Sequence, residues 1–305
     1  MKILVVGAGA IGGYFGARLL ENGVNVTFLV REKRKDLLNQ TGLNIESIHG
    51  NAELIPRLIT ADAPNETFDL VLISTKSYHL KQAIEDLRPF VNDDTTILPL
   101  LNGIAHINLL TEAFGEKAII GGLCFIETTL DEHGTICQKG PLHHLIFGEL
   151  SGEETPRIQK LQSVFSGANA DFEYSDNINQ DMWQKYLFIT ALSGITSLME
   201  SPIGPIMDLE SGRNTVTILL EEITMIMNII NAPIKETIAS DLFQKISGMG
   251  YDLKSSMQRD MEKLLPLEAD HLQGFLLQHA KVHNIPVPVL ETIYTKLVLY
   301  DKSRS

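Results

Sequence analysis

The sequence predicts an α/β domain built on a parallel sheet, followed by an all-α domain, and three observations carry that reading. Short apolar runs alternate with helix-length stretches through roughly the first third of the chain, the βαβ pattern of a parallel sheet. A glycine-rich turn, Gly7-Ala8-Gly9-Ala10-Ile11-Gly12, follows the first of those runs directly. From Asn177 onward the apolar period is helical almost throughout. A chain of 305 residues accommodates two domains. The change of period divides it into a first domain over 1–175 and a second over 176–305.

The elements follow in order. Residues 2–7 (KILVVG) read as a short, fully buried strand. A helix over 10–22 ends at Gly23, where a helix terminus favours glycine. A second strand occupies 25–30, and 43–59 read as a hairpin or two short strands around His49-Gly50-Asn51. Residues 68–75 (FDLVLIST) form another buried strand, with a helix over 78–87 behind it. A further strand over 95–101 ends at Asn102-Gly103. Residues 118–149 read as several short strands with turns at 132–134 and 139–141, and a helix over 154–166 and a strand over 171–174 complete the domain. In the second domain, breaks at 202–205, 248–250 and 284–288 separate helices. The stretch 216–230 (VTILLEEITMIMNII) is apolar on most faces, as a central helix would be, with Met225 and Met227 as core filler.

Charge narrows the function. Lys and Arg number 25 and Asp and Glu 38, a formal net charge of −13. That balance argues against nucleic acid and anionic membranes as partners, because both are bound by clustered cations. Cys124 and Cys137 are too few and too isolated for a disulfide framework or a thiolate metal site. The longest uncharged stretches, 3–17 and 95–111, are too short and too broken for a membrane span. Lys2 ahead of an apolar run resembles an export signal, but five glycines from Gly7 to Gly16 explain that run better. A cytoplasmic protein is expected.

The glycine turn matches G-x-G-x-x-G in the setting that gives the motif meaning, after a strand and at the start of a helix. Gly7 allows the tight turn, Gly9 lets the backbone approach a pyrophosphate, and Gly12 permits close helix–strand packing. The N–H groups at the start of the helix then face the phosphates. An acidic residue after the second strand would bind the ribose of NAD; here Arg31 stands there, with Lys33 and Arg34 behind it. A guanidinium grips a 2′-phosphate where a carboxylate repels it, so NADP(H) is the expected cofactor. Glu32 next door offers an alternative ribose contact.

Lys76 and Asn102 each lie just past the C-terminal end of a strand, where open α/β sheets place their ligands; either is readable as a plain strand terminus, but two such polar residues on the same sheet edge as the glycine loop favour the functional reading. Trp183-Gln184-Lys185 heads an uncharged stretch reaching Met199. A lysine there either protonates a carbonyl oxygen or snorkels from its helix. Helical spacing sets Ile189 and Ser193 on the same stripe as Lys185. Taken alone, Ser256 and Glu268 are a surface cap and a first-turn acid. His279 and His283 have the i, i+4 spacing of a metal pair but no third ligand of suitable spacing, so an exposed pair with no metal is expected.

Taken together, GAGAIG at 7–12, Arg31, STK ending at Lys76, Asn102-Gly103, WQK at 183–185, SSMQRD at 255–260 and EADHLQGF at 268–275 resemble the ketopantoate reductase (2-dehydropantoate 2-reductase) family. The resemblance spans nearly the whole chain. It implies a Rossmann-type first domain and a helical second domain of the 6-phosphogluconate dehydrogenase C-terminal type, with NADPH and a small 2-oxo acid in the cleft between them. It further implies Lys185 as general acid and Glu268 as its partner on a substrate hydroxyl, with Ser256 on the substrate carboxylate. Lys76 and Asn102 would line the nicotinamide end, and Arg31 would bind the 2′-phosphate. The implied reaction is reduction of 2-dehydropantoate to (R)-pantoate in pantothenate biosynthesis. Members vary in oligomeric state, a homodimer included. The family commonly carries asparagines where this chain has Ile189 and Ser193, which leaves open a reductase of another small 2-oxo acid. A catalytically silent NADP(H) sensor is the remaining alternative.

Overall fold

The computed structural model describes residues 1–304. In the first part of the chain it contains β1 (Lys2–Val6), α1 (Ala10–Glu21), β2 (Asn25–Leu29), α2 (Glu32–Thr41), β3 (Leu43–Ser47), β4 (Ala52–Leu54), β5 (Arg57–Ile59), β6 (Leu70–Ile73), α3 (Leu80–Leu87), β7 (Thr96–Pro99) and α4 (Ala105–Phe114). Then come β8 (Gly121–Leu130), β9 (Ile136–Gly148), α5 (Pro156–Phe165) and β10 (Asp171–Tyr174). The remainder is helical: α6 (Ile178–Met199), α7 (Ile203–Asp208), α8 (Glu210–Ile229), α9 (Ile238–Ser247), α10 (Ser256–Glu262), α11 (Phe275–Val282) and α12 (Pro288–Ser303). None of these helices is long and apolar enough to cross a membrane.

Two compact units result, Met1–Leu101 with His106–Asn179 and Asn102–Ala105 with Gln180–Ser305. The first is a parallel α/β unit. Its main sheet runs β5-β2-β1-β6-β7, with every pairing parallel. Counted within the sheet this is the order 3-2-1-4-5 of dinucleotide-binding folds, which reverses direction between β1 and β6. The pleat sends Ile3 and Val5 into one core with Tyr14, Phe15 and Leu19 of α1. Leu4 and Val6 enter the other, with Leu80, Ala83 and Leu87 of α3.

A second sheet, β10-β9-β3-β4 with β8 also on β9, belongs to the same unit. Ile136, Leu145 and Phe147 from β9 share a core with α1 and with Ile158, Leu161 and Phe165 of α5. Because α1 is covered by sheet residues on both sides, Gly12 through Leu19 are all buried. That explains the two glycines beyond the motif. A Cβ on Gly13 would lie 2.6 Å from Ile136 Cδ1, and one on Gly16 2.8 Å from the Phe28 ring.

Two expectations for this unit need correction. Of the 43–59 segment, only β3 and β4 form a hairpin; β5 leaves it to pair in parallel with β2 at the edge of the main sheet. The turn expected at 139–141 is not a chain reversal. β9 runs straight through it, and the pairing with β8 shifts between Ile126↔His143 and Thr128↔Gln138. Gly140 and Pro141 lie in that bulge, where a missing N–H costs no ladder bond.

The helical unit has one core, in which Ile195, Leu219, Ile223, Leu276 and Leu290 are fully buried. Its α8 covers the predicted stretch as far as Ile229 but is not buried on all sides, as a central helix would be. Ile218, Met225 and Ile229 are exposed along one stripe, so Met227 fills the core and Met225, 48% exposed, does not. Glu222, buried at the margin of that stripe, accepts the N–H groups of Val289 (3.0 Å) and Leu290 (2.8 Å) at the start of α12. Of the histidine pair, His283 is exposed while His279 is half-buried, its ring edge-on to Phe275 at 4.7 Å.

Candidate functional site

The glycine turn connects β1 to α1 at the point where the sheet order reverses. Gly7 takes φ +94°, a left-handed conformation that favours glycine, and its N–H donates to the Leu29 carbonyl at 3.0 Å. Gly12 faces the β6 side, where a Cβ would lie 2.0 Å from Ser74 Oγ and 2.5 Å from the Gly7 carbonyl oxygen. Gly9 differs from both: a Cβ there would meet nothing within 4 Å. It caps α1 with no side-chain acceptor, and the first turn holds no acid. Ala8 is buried, whereas Ala10 and Ile11 begin the helix half-exposed. The turn therefore offers open space and N–H groups beside Gly9, the cradle a pyrophosphate requires.

Arg31 is exposed at the N-cap position of α2, and its guanidinium lies 3.4 Å from His79 Nδ1. Burial and the neighbouring Arg31 charge hold the His79 pKa below the usual imidazole value, so the neutral ring accepts from Arg31. Arg34, expected only as part of a cationic cluster, braces the turn. Its Nε donates to the Ala8 carbonyl and its NH2 to the Gly134 carbonyl, both at 3.1 Å. No local signal marks this role, because Gly134 is distant in sequence. Lys76 is half-buried just beyond β6.

In the helical unit, Lys185 is 8% exposed and its Nζ donates to Asn102 Oδ1 at 3.2 Å. The same Asn102 accepts at its main-chain carbonyl from His271 Nε2 at 2.7 Å. Gly103 takes φ +85° and lies against that ring. Glu268 is buried and precedes one turn of π-helix, Asp270–Gly274, rather than opening a regular α-helix. Single π turns of this kind frequently occur at functional sites. Burial holds the His271 pKa below the usual value, and the nearby Glu268 charge opposes that effect.

Ser193 accepts from Gln273 Nε2 at 3.2 Å, and Ile189 packs against the helical core. The two serines of SSMQRD have different surroundings. Ser255 is buried, caps α10 by accepting the Gln258 N–H at 3.1 Å, and accepts the Thr196 hydroxyl at 2.8 Å; Ser256 is exposed. Sequence reasoning missed His271, Gln273 and Gln258. Both amide atoms of Gln258 are buried without a hydrogen-bond partner, as are Gln273 Oε1 and Ser197 Oγ. Buried polar atoms are seldom left so, which gives this unit unused hydrogen-bonding capacity.

A cavity of about 640 Å³ lies elsewhere in the α/β unit, against β10 and lined by His144, Gln162, Phe165 and Glu173. It holds none of these residues, and His144 and Glu173 pair with each other at 2.6 Å.

Residues 3–152 match the family model for ketopantoate reductase PanE/ApbA, and 177–300 match its C-terminal model. The chain is similar to the uncharacterized oxidoreductase YkpB of Bacillus subtilis, 45% identical over 304 residues and covering 100% of both proteins. It is similar to the crystal structure of 2-dehydropantoate 2-reductase from Geobacter metallireducens, with a TM-score of 0.87, 30% identity, and 98% of this chain and 99% of that one covered. The fold also matches D-mandelate dehydrogenase in its ternary structure with NADH and anilino(oxo)acetate, with a TM-score of 0.89, 18% identity, and 100% and 99% covered. With both halves matched by the family's models and relatives aligned end to end, the chain belongs to the ketopantoate reductase PanE/ApbA family, whose members are NAD(P)H-using oxidoreductases.

Proposed function

We propose that this chain is an NADPH-dependent reductase of small 2-oxo acids, with 2-dehydropantoate as substrate and (R)-pantoate as product. The observation that carries the reading is the buried Lys185 ammonium fastened to Asn102 Oδ1 at 3.2 Å. An ammonium has three N–H donors, and the bond to Asn102 fixes the direction in which one of them points. NADPH, when bound, supplies the hydride. The open face of Gly9 and the N–H groups of the α1 start would hold its pyrophosphate, and Arg31 would hold the 2′-phosphate.

Lys185 gives its proton to the ketone oxygen, Glu268 accepts a substrate hydroxyl, and the Ser256 hydroxyl donates to the substrate carboxylate. Lys76 and Asn102 line the nicotinamide end. Each polar partner favours the transition state only if held in place before substrate arrives. Ile189 and the pairing of Ser193 with Gln273 favour a second reading, a different branched 2-oxo acid, because an isoleucine offers no hydrogen bond and the serine already has one.

The test is NADPH oxidation with 2-dehydropantoate and a panel of other 2-oxo acids. Turnover of 2-dehydropantoate above the rest supports the first reading, and preference for another panel member supports the second. Tight NADPH binding with no turnover across the panel overturns both and leaves a cofactor-binding sensor.

A further inference from the structure

We propose that His271 is a positioning residue that fixes the Lys185 ammonium through Asn102, by donating from its ring Nε2–H to the Asn102 main-chain carbonyl. Asn102 presents two oxygens in two directions. The main-chain oxygen takes the His271 donor at 2.7 Å, and the side-chain Oδ1 takes Lys185 Nζ at 3.2 Å. A single residue thus joins imidazole to ammonium, with no contact between them needed. The carbonyl can only accept, so Nε2 carries the proton and the tautomer is set.

The imidazole also shapes the segment sterically. Gly103 sits in the left-handed region, and a Cβ built on it would lie 2.9 Å from His271 Cδ2 and 3.2 Å from Leu272 Cδ2. The backbone of 102–103 therefore lies directly on the ring. His271 is itself anchored to α6 by its neighbours in the π turn. The Tyr186 hydroxyl donates to the Leu272 carbonyl at 2.5 Å, and Gln273 Nε2 donates to the Thr190 carbonyl at 3.2 Å. Tyr186 directly follows Lys185, so the π turn, the 102–103 segment and the Lys185 turn of α6 form one closed loop of hydrogen bonds. Burial keeps the ring neutral near pH 7, so it adds no like charge near the ammonium.

The kinetic arm of the test rests on the proposed reductase reading; a chemical arm does not. His271→Phe keeps the ring and removes the donor, His271→Asn removes the donor's reach, and His271→Gln keeps a donor of similar reach. The first two are expected to lower kcat by about 10- to 100-fold, the scale of a misplaced catalytic group, with NADPH Kd unchanged. His271→Gln restores most of the loss. In an Asn102→Ala background, His271→Phe costs nothing further, because the link it acts through is gone.

Independently of turnover, the rate of Lys185 acylation by acetic anhydride, read by mass spectrometry, rises in His271→Phe and His271→Asn and stays at the wild-type value in His271→Gln. Unchanged kcat and acylation in both donor-less variants, or the same kcat loss in the Asn102→Ala background, overturns the proposal. If the acylation rates move as expected while no 2-oxo acid is reduced, the positioning role stands and the reductase reading falls.

Discussion

Two alanine substitutions in the glycine turn separate packing from ligand approach. At Gly12 the added methyl would sit 2.0 Å from Ser74 Oγ and 2.5 Å from a backbone oxygen, and backbone has no rotamer to escape into. Overpacking of this kind costs about 1–3 kcal/mol. At about 2–4 °C per kcal/mol for a domain of this size, Gly12→Ala lowers Tm by about 2–12 °C. At Gly9 the backbone is extended and a methyl touches no protein atom within 4 Å. The cost is then that of a poorer helix cap, about 1 kcal/mol or less.

The ligand reverses the ranking. NADPH at a hundred times Kd raises the stability of the wild type by about 2.7 kcal/mol. A methyl at Gly9 fills the space the pyrophosphate needs, so Gly9→Ala weakens NADPH by at least about tenfold, roughly 1.4 kcal/mol, and loses about half of that gain or more. The assay is thermal unfolding with and without NADPH, with titration calorimetry for Kd. If Gly9→Ala binds NADPH as the wild type does, the open space beside Gly9 is not where the phosphates lie, and the cofactor assignment fails.

Lys185→Ala is expected to lower kcat about 10²- to 10⁴-fold, the range of general-acid catalysis, with NADPH Kd unchanged; an equal loss of cofactor binding in calorimetry would show its role to be wrong. Arg31→Glu weakens NADPH by about 10- to 100-fold, from the loss of a charge-assisted bond of about 1.5–3 kcal/mol, and leaves NADH nearly unaffected; parallel titrations with the two cofactors check this. Glu66 accepts from Arg57 at 3.2 and 2.6 Å and from Lys2 at 3.0 Å, and these partners hold its carboxyl down to about 2 from an ordinary 4.5. Its folded pKa lies below the unfolded one, so its stabilisation is complete above pH 4.5 and is lost as pH falls toward about 2. Glu66→Gln therefore costs about 1 kcal/mol or less at pH 7, as expected for a partly exposed pair. That difference shrinks between pH 4.5 and about 2 in urea unfolding.

Much of this architecture is legible along the chain because it is written in short-range periodicity. Ile3 and Val5 against Leu4 and Val6 announce a strand buried on both faces, and Gly7, Gly9 and Gly12 announce the turn after it. Arg31 is visible by its position after β2. The second sheet is not visible in that way. β3 pairs with β9 across some ninety residues, Ser47 opposite Gln138, and nothing local in either segment names the other. Met225 and Met227 are alike in composition and two residues apart, yet one is exposed and the other buried. Only the neighbours that pack on α8 distinguish them. The expected turn at 139–141 reads Gly140-Pro141 correctly as an interruption, but a long strand absorbs it as a bulge.

By itself the sequence determined the parallel α/β half, the helical half, the glycine turn and the residue types available for chemistry. These depend on spacings of a few residues, which chain geometry converts directly into faces and turns. Tertiary structure alone decided which of those residues meet. Lys185 and Asn102 are separated by 83 residues and His271 and Asn102 by 169, so only the folded chain makes them partners. It also decided that Gly13 and Gly16 serve packing while Gly9 faces open space. A glycine's own sequence context is the same in either role, and the difference lies in what the fold brings within reach of its missing side chain.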